Sequence, residues 1–241
     1  MQKILFLDFD GVLFDTVSEA YYVIQHTLHY KNKNFSPQVF EAFKSLRYLV
    51  GPAWHYYFIM KAIEKKEPLL DSNSFIKNAK VQRFEEDFFE TRKKLKSKDY
   101  KSWLTLNQKF SFTDQLTQII HNSEFIIYII TTKDKQTICD LLNEFQITWV
   151  KDNHILDKNS FQQFGSKRNI ILHLLSQQKT EYKAIFIDDS YEHLHKCEGI
   201  PNLTLVQPEW GYINKTHQSK YIQNLHNTLN IIQNIETKDI V

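Results

Sequence analysis

The chain has 241 residues, 42% of them hydrophobic and 14% aromatic, enough apolar mass for one sizeable core or a core with a smaller insert. That excludes wholesale disorder and a disulfide-stapled miniprotein. Thirty Lys and Arg against 28 Asp and Glu leave a net charge of +2, so no nucleic-acid tail and no polybasic membrane anchor is expected, and the 5 glycines carry neither dinucleotide nor Walker spacing.

In chain order, the first apolar run is residues 3–7, and it ends at Asp8-Phe9-Asp10-Gly11-Val12. A short continuous apolar run reads as a strand buried on both faces. Side chains two apart on an extended chain point the same way, so Asp8 and Asp10 are expected to face one volume while Phe9 faces away. From residue 16 to about residue 99 the pattern is helical. Ser36 before Pro37, the Gly51-Pro52 pair and the 71–74 stretch mark caps and breaks, giving about four helices. This block carries 15 Lys and Arg against 10 Asp and Glu, a charge of +5, and the remainder is −3. An excess of that size on helices is ordinarily a solvated face, and the pointer to an anionic ligand is weak.

Further along, apolar runs at 125–130, 147–150, 184–187 and 203–206 alternate with helical stretches at 113–122, 135–145, 166–177 and 190–198. Such alternation predicts an α/β fold: a doubly wound, Rossmann-like parallel sheet formed by residues 1–15 and 100–241, with a helical cap domain, residues 16–99, inserted after the first strand. A closing helix is expected within 216–236. The longest apolar run, 125–130, is too short to cross a bilayer, and Asp8 and Asp10 interrupt the N-terminal run before a signal-peptide core could form. Cys139 and Cys197 lack Cys-x-x-Cys spacing, which suits a reducing compartment, so a cytoplasmic location without membrane association is the expectation.

Asp188 and Asp189 follow the 184–187 run as Asp8 and Asp10 follow the first. Four carboxylates at two neighbouring strand ends repel unless a divalent cation or shared protons offset them. Oxygen-only ligands point to Mg2+. Each acid pair could equally do no more than cap the following helix, and the residues alone leave both readings open. Thr131, Thr132 and Lys167 offer a hydroxyl and an ammonium suited to phosphoryl oxygens, although Thr at strand ends and Lys on helices are commonly structural. Arg47, Trp54 and His55 flank the Gly51 turn and could reach a substrate, but ordinary helix packing explains them as well. His26 and His29, an isolated i, i+3 pair, are read as structural, as are both cysteines.

The ordered set Asp8-x-Asp10-Gly11-Val12, Thr131, Lys167 and Asp188-Asp189 resembles the haloacid dehalogenase-like (HAD) hydrolase superfamily over nearly the whole chain. Asp15-Thr16, Gly51-Pro52 and Trp210-Gly211-Tyr212 add to the resemblance. The helical insert sits where phosphoglycolate phosphatases and β-phosphoglucomutases carry theirs. The resemblance implies Asp8 as nucleophile, Asp10 as general acid and base with its backbone carbonyl on the metal, and Thr131, Thr132 and Lys167 on the phosphoryl group, with Arg47 a further candidate. It implies Mg2+ held by Asp8, Asp10, Asp188 and Asp189. The family's frequent Gly-Asp is Asp-Asp here, which leaves open whether Asp188 binds metal directly or through water. The implied activity is hydrolysis of a small phosphorylated metabolite. A phosphomutase on the same core and a catalytically silent binding protein are the alternatives. A dehalogenase fits poorly, because it would give Asp10, Asp188 and Asp189 no role.

Overall fold

A computed structural model describes all residues except 29–35, 70, 73, 122, 217–218 and 238–241. The chain opens with β1 (Gln2–Leu7), whose last four residues are buried, and turns through a tight loop into β2 (Phe14–Asp15). It then runs through α1 (Val17–Thr27), α2 (Pro37–Ser45), a 3-10 turn at Arg47–Leu49, α3 (His55–Lys65), α4 (Ala79–Lys98) and α5 (Tyr100–Leu104). After β3 (Gln108–Lys109), which pairs with β2, the alternation resumes. It comprises α6 (Ser111–Ile120), β4 (Phe125–Ile130), α7 (Lys135–Glu144), β5 (Ile155–Leu156), α8 (Lys158–Phe164), α9 (Lys167–Ser176), β6 (Tyr182–Ile187), α10 (Tyr191–Lys196), β7 (Leu203–Pro208), β8 (Ile222–Gln223) and α11 (Leu225–Thr237).

Two compact units result: residues 1–15 with 109–241, and residues 16–108. In the first, six strands form a parallel sheet in the order β5-β4-β1-β6-β7-β8. The chain builds outward from β1 through β4 to β5, then returns to add β6, β7 and β8 on the other side. β1 and β6 therefore flank the topological switch point, where the crevice at the carboxyl ends of the strands receives ligands in open α/β sheets. Both faces are covered, as the unbroken apolar runs require. Ile4 and Phe6 of β1 pack with Ile170, Ile171 and Leu174 of α9 and Leu194 of α10, while Leu5, Leu7, Ile127 and Ile129 are buried on the opposite face.

The second unit is helical. Glu19 of α1, fully buried, accepts hydrogen bonds from Arg92 Nε at 2.7 Å and Nη2 at 2.9 Å on α4, and from Trp103 Nε1 at 3.1 Å on α5. This network ties α5 to the helices before it, and the helical unit runs through residue 108. His55 Nδ1 lies 3.0 Å from Leu49 O and accepts or shares the Gly51 N–H at 3.2 Å, and Trp54 meets the His55 and Phe58 rings edge-on. His26 Nδ1 bonds the Tyr22 carbonyl at 2.8 Å, whereas His29 falls outside the described residues.

Three expectations need correction. Residues 147–150 form no strand. Gln146 adopts φ 55° after α7, the Ile147 N–H donates to Leu142 O and Ile147 is buried, so the apolar run closes a helix; the strand is β5, paired with Ile129 and Ile130. The 71–74 stretch, of which residue 73 is outside the described set, does not cap α4. Asn78 does, its side chain accepting from Lys80 and Val81 N–H, while Phe75 is buried and stacks on Phe58. The closing helix starts at Leu225, because residues 222–223 pair with β7 as a sixth strand.

Candidate active site

Register brings the acids together. Leu7 pairs with Ile187 across β1 and β6, so Asp8 and Asp188 each leave the sheet one residue later, the Asp8 N–H donating to Ile187 O and the Asp188 N–H to Val206 O. Asp8, Asp188 and Asp189 are all buried, and each offers a carboxylate oxygen within 4.8 Å of the other two. Phe9, between the two acids of the first loop, turns into the core and stacks on Phe14 at 4.8 Å, which leaves Asp8 and Asp10 on the other side of the backbone.

Lys167, the first residue of α9, reaches this cluster with a fully buried side chain. Its Nζ lies 2.7 Å from Asp188 Oδ2 and 2.9 Å from Asp8 Oδ2. Asp188 is held further by the Ser190 N–H on Oδ1 at 2.8 Å and by His193 Nδ1, 3.2 Å from Oδ2. The Tyr212 N–H donates to Asp189 Oδ2 at 2.9 Å, and Gln207 Nε2 donates to the Asp189 carbonyl at 2.7 Å. Thr131, buried at the end of β4, accepts the Lys133 N–H on Oγ1, and Thr132 follows it half-buried. The carboxylate of Asp10 stands outside the close triad, with Oδ1 3.0 Å from Lys133 Nζ. Arg47 belongs to the helical unit, its guanidinium 5.5 Å from the centre of the Tyr56 ring.

The charges follow from this geometry. Burial raises the pKa of Asp8; Lys167 opposes the rise, and the nearby Asp188 and Asp10 charges add to it. Burial acts in the same sense on Asp188, but Lys167 and His193 outweigh it and hold that carboxyl down at about 2. Lys167, which burial alone would lower, is held well above the usual lysine range by Asp188 and Asp8. Lys167 and Asp188 thus favour each other's charged form across the 2.7 Å contact. With Asp10 and Asp189, four carboxyl groups and the ammonium groups of Lys167 and Lys133 gather at these strand ends. The donors are all hard oxygens, so the residues fit Mg2+ or a cation like it.

The comparisons with known proteins bear on the fold. No family model matches the chain, and no curated protein does. Solved structures match over nearly all of its length. One described as a haloacid dehalogenase-like hydrolase from Streptococcus pneumoniae is 19% identical with a TM-score of 0.66, covering 96% of this chain and 99% of its own. A predicted phosphatase from Clostridium acetobutylicum is 15% identical with a TM-score of 0.64, covering 97% and 99%.

The chain has the haloacid dehalogenase-like fold.

The structure of Protein Tyrosine Kinase A from Mycobacterium tuberculosis is also similar, at 12% identity and a TM-score of 0.60, covering 95% of this chain and 97% of that one. A HAD-like scaffold therefore does not choose the reaction, and the site must. The three acids of the buried cluster were among the residues singled out from the sequence, which assigned nothing to Lys133 or His193 and gave Tyr212 only a motif. Their partners are 123, 5 and 23 residues away. An offset of five residues from a strand end into a helix and two long-range contacts carry no local signature.

Proposed function

We propose that the chain is a magnesium-dependent phosphomonoester hydrolase acting on a small phosphorylated metabolite. One observation carries this reading: a buried triad of Asp8, Asp188 and Asp189 at the switch point of the sheet, with Lys167 bridging two of its members. Bound there, Mg2+ would be held by Asp8, Asp188 and Asp189 and by the Asp10 main chain, and would supply charge that ionises Asp8 and neutralises phosphoryl oxygens. Asp188, with its oxygens committed to Lys167, His193 and Ser190, is the member suited to a water-mediated contact.

In the proposed reaction an Asp8 carboxylate oxygen attacks phosphorus and the ester P–O bond breaks, while Asp10 gives its proton to the leaving oxygen. The products of this step are an alcohol and an aspartyl phosphate. Water then attacks phosphorus, returns a proton to Asp10 and breaks the P–O bond to Asp8, releasing inorganic phosphate. Thr131, Thr132 and Lys167 hold the phosphoryl oxygens. Two free cysteines support a cytoplasmic location.

The test is phosphate release from a panel of phosphorylated metabolites, with Mg2+ and with chelator. Wild type should release phosphate only with the metal, Asp8→Asn should fall to background, and Asp10→Asn should lose about 100-fold or more. A folded, Mg2+-binding wild type that hydrolyses none of the panel would overturn the reading.

A further inference from the structure

Lys133 has no part in the reaction as written, yet its side chain is only 2% exposed. Taking an ammonium out of water costs several kcal/mol unless a well-placed counter-charge offsets it, and a position that only needed filling would take an apolar side chain. Its ammonium pairs with Asp10, which at 16% side-chain exposure is the more exposed of the two, with Oδ1 3.0 Å from Nζ. The lysine is anchored at both ends of its own peptide unit. Its N–H donates to Thr131 Oγ1 at 3.2 Å, and its carbonyl accepts from the Lys158 N–H at 3.1 Å. Its ammonium also lies 6.0 Å from the centre of the Phe9 ring, the residue between the two acids.

The β1 loop thus carries two acid–lysine pairs, Asp8 with Lys167 and Asp10 with Lys133. Their tasks differ. Asp8 must present an oxygen to phosphorus, whereas Asp10 must keep one orientation through two successive proton transfers. The terminal torsion of a carboxylate is broad, so an unrestrained Asp10 would spend much of its time turned away from the leaving oxygen. We propose that Lys133 is a positioning residue for Asp10, fixing its carboxylate through Oδ1 so that the proton given to the leaving group is recovered from the attacking water. This rests on the phosphatase reading above.

The test compares wild type, Lys133→Met and Lys133→Arg on the ester that wild type hydrolyses best and on p-nitrophenyl phosphate, whose leaving group departs without an acid. Lys133→Met should lose about 10- to 100-fold in kcat on the natural-type ester with KM within about threefold, and Lys133→Arg should recover most of it. On p-nitrophenyl phosphate Lys133→Met should show a burst of about one equivalent of nitrophenolate followed by slow turnover, because only the water step still needs Asp10. Unchanged kcat, or a loss carried by KM alone, overturns the inference while leaving the phosphatase reading intact. If circular dichroism shows Lys133→Met unfolded, Lys133→Gln takes its place, and unfolding of every variant overturns the inference in favour of a structural ion pair. A wild type inactive on every ester overturns the phosphatase reading and this inference with it.

Discussion

Asp189 is confined by backbone more than by side chains. Gly11 sits at φ +81°, and a Cβ there would lie 2.0 Å from Asp189 Oδ2; a Cβ on Gly211 would lie 2.6 Å from Asp189 Cβ and 2.7 Å from the Gly11 carbonyl. The two glycines let two loops close on one carboxylate, which the Tyr212 N–H then orients. Gly11→Ala should therefore displace the carboxylate and weaken Mg2+ binding by about tenfold or more, measured by titration calorimetry. Unaltered affinity would show that Asp189 is not held for a metal. In the sequence Gly11 stands directly after Asp10 in the first motif. The sequence could not show that the space a Cβ would occupy belongs to a residue 178 positions further on.

Helices α1, α4 and α5 are joined by a buried charge as well as by apolar contact. Glu19 is fully buried and Arg92 nearly so, with two hydrogen bonds between them and a third from Trp103. Arg92 also lies over Phe88, its guanidinium carbon 4.7 Å from the ring centre. Removing one partner strands a charge, so Arg92→Leu should cost about 3–5 kcal/mol in urea unfolding, and Glu19→Leu added to Arg92→Leu should recover part of that loss. A double variant as unstable as the single would show that packing, not the stranded carboxylate, dominates. At this scale the sequence was a fair guide to element type and a poorer one to edges. Periodicity marked the 147–150 run as apolar, but only the Leu142 carbonyl and the edge of β4 decide that it closes α7 and that pairing waits until residue 155.

The chain gathers buried acidic groups at the carboxyl ends of β1 and β6, although its net charge is +2. A cation that binds only the folded state stabilises it by mass action, by about 2.7 kcal/mol at a hundredfold excess over Kd. Mg2+ should accordingly raise Tm by roughly 5–10 °C in calorimetry, with chelator reversing the shift and Asp189→Asn abolishing it. An equal shift in Asp189→Asn would place the ion elsewhere. Among the described residues no helix is long and apolar enough to cross a membrane. By itself the sequence determined the parallel α/β class and the helical insert after the first strand, and it singled out acids, a threonine and a lysine as candidates, because these depend on local runs and on short motifs at strand ends. Only the tertiary structure decided which groups share a carboxylate. Strand order sets β1 beside β6, register sets Asp8 level with Asp188, and burial then requires each charge to have a partner, which is how Lys133, His193 and Tyr212 enter the site. Those pairings join residues as far as 123 positions apart, and no local pattern records them.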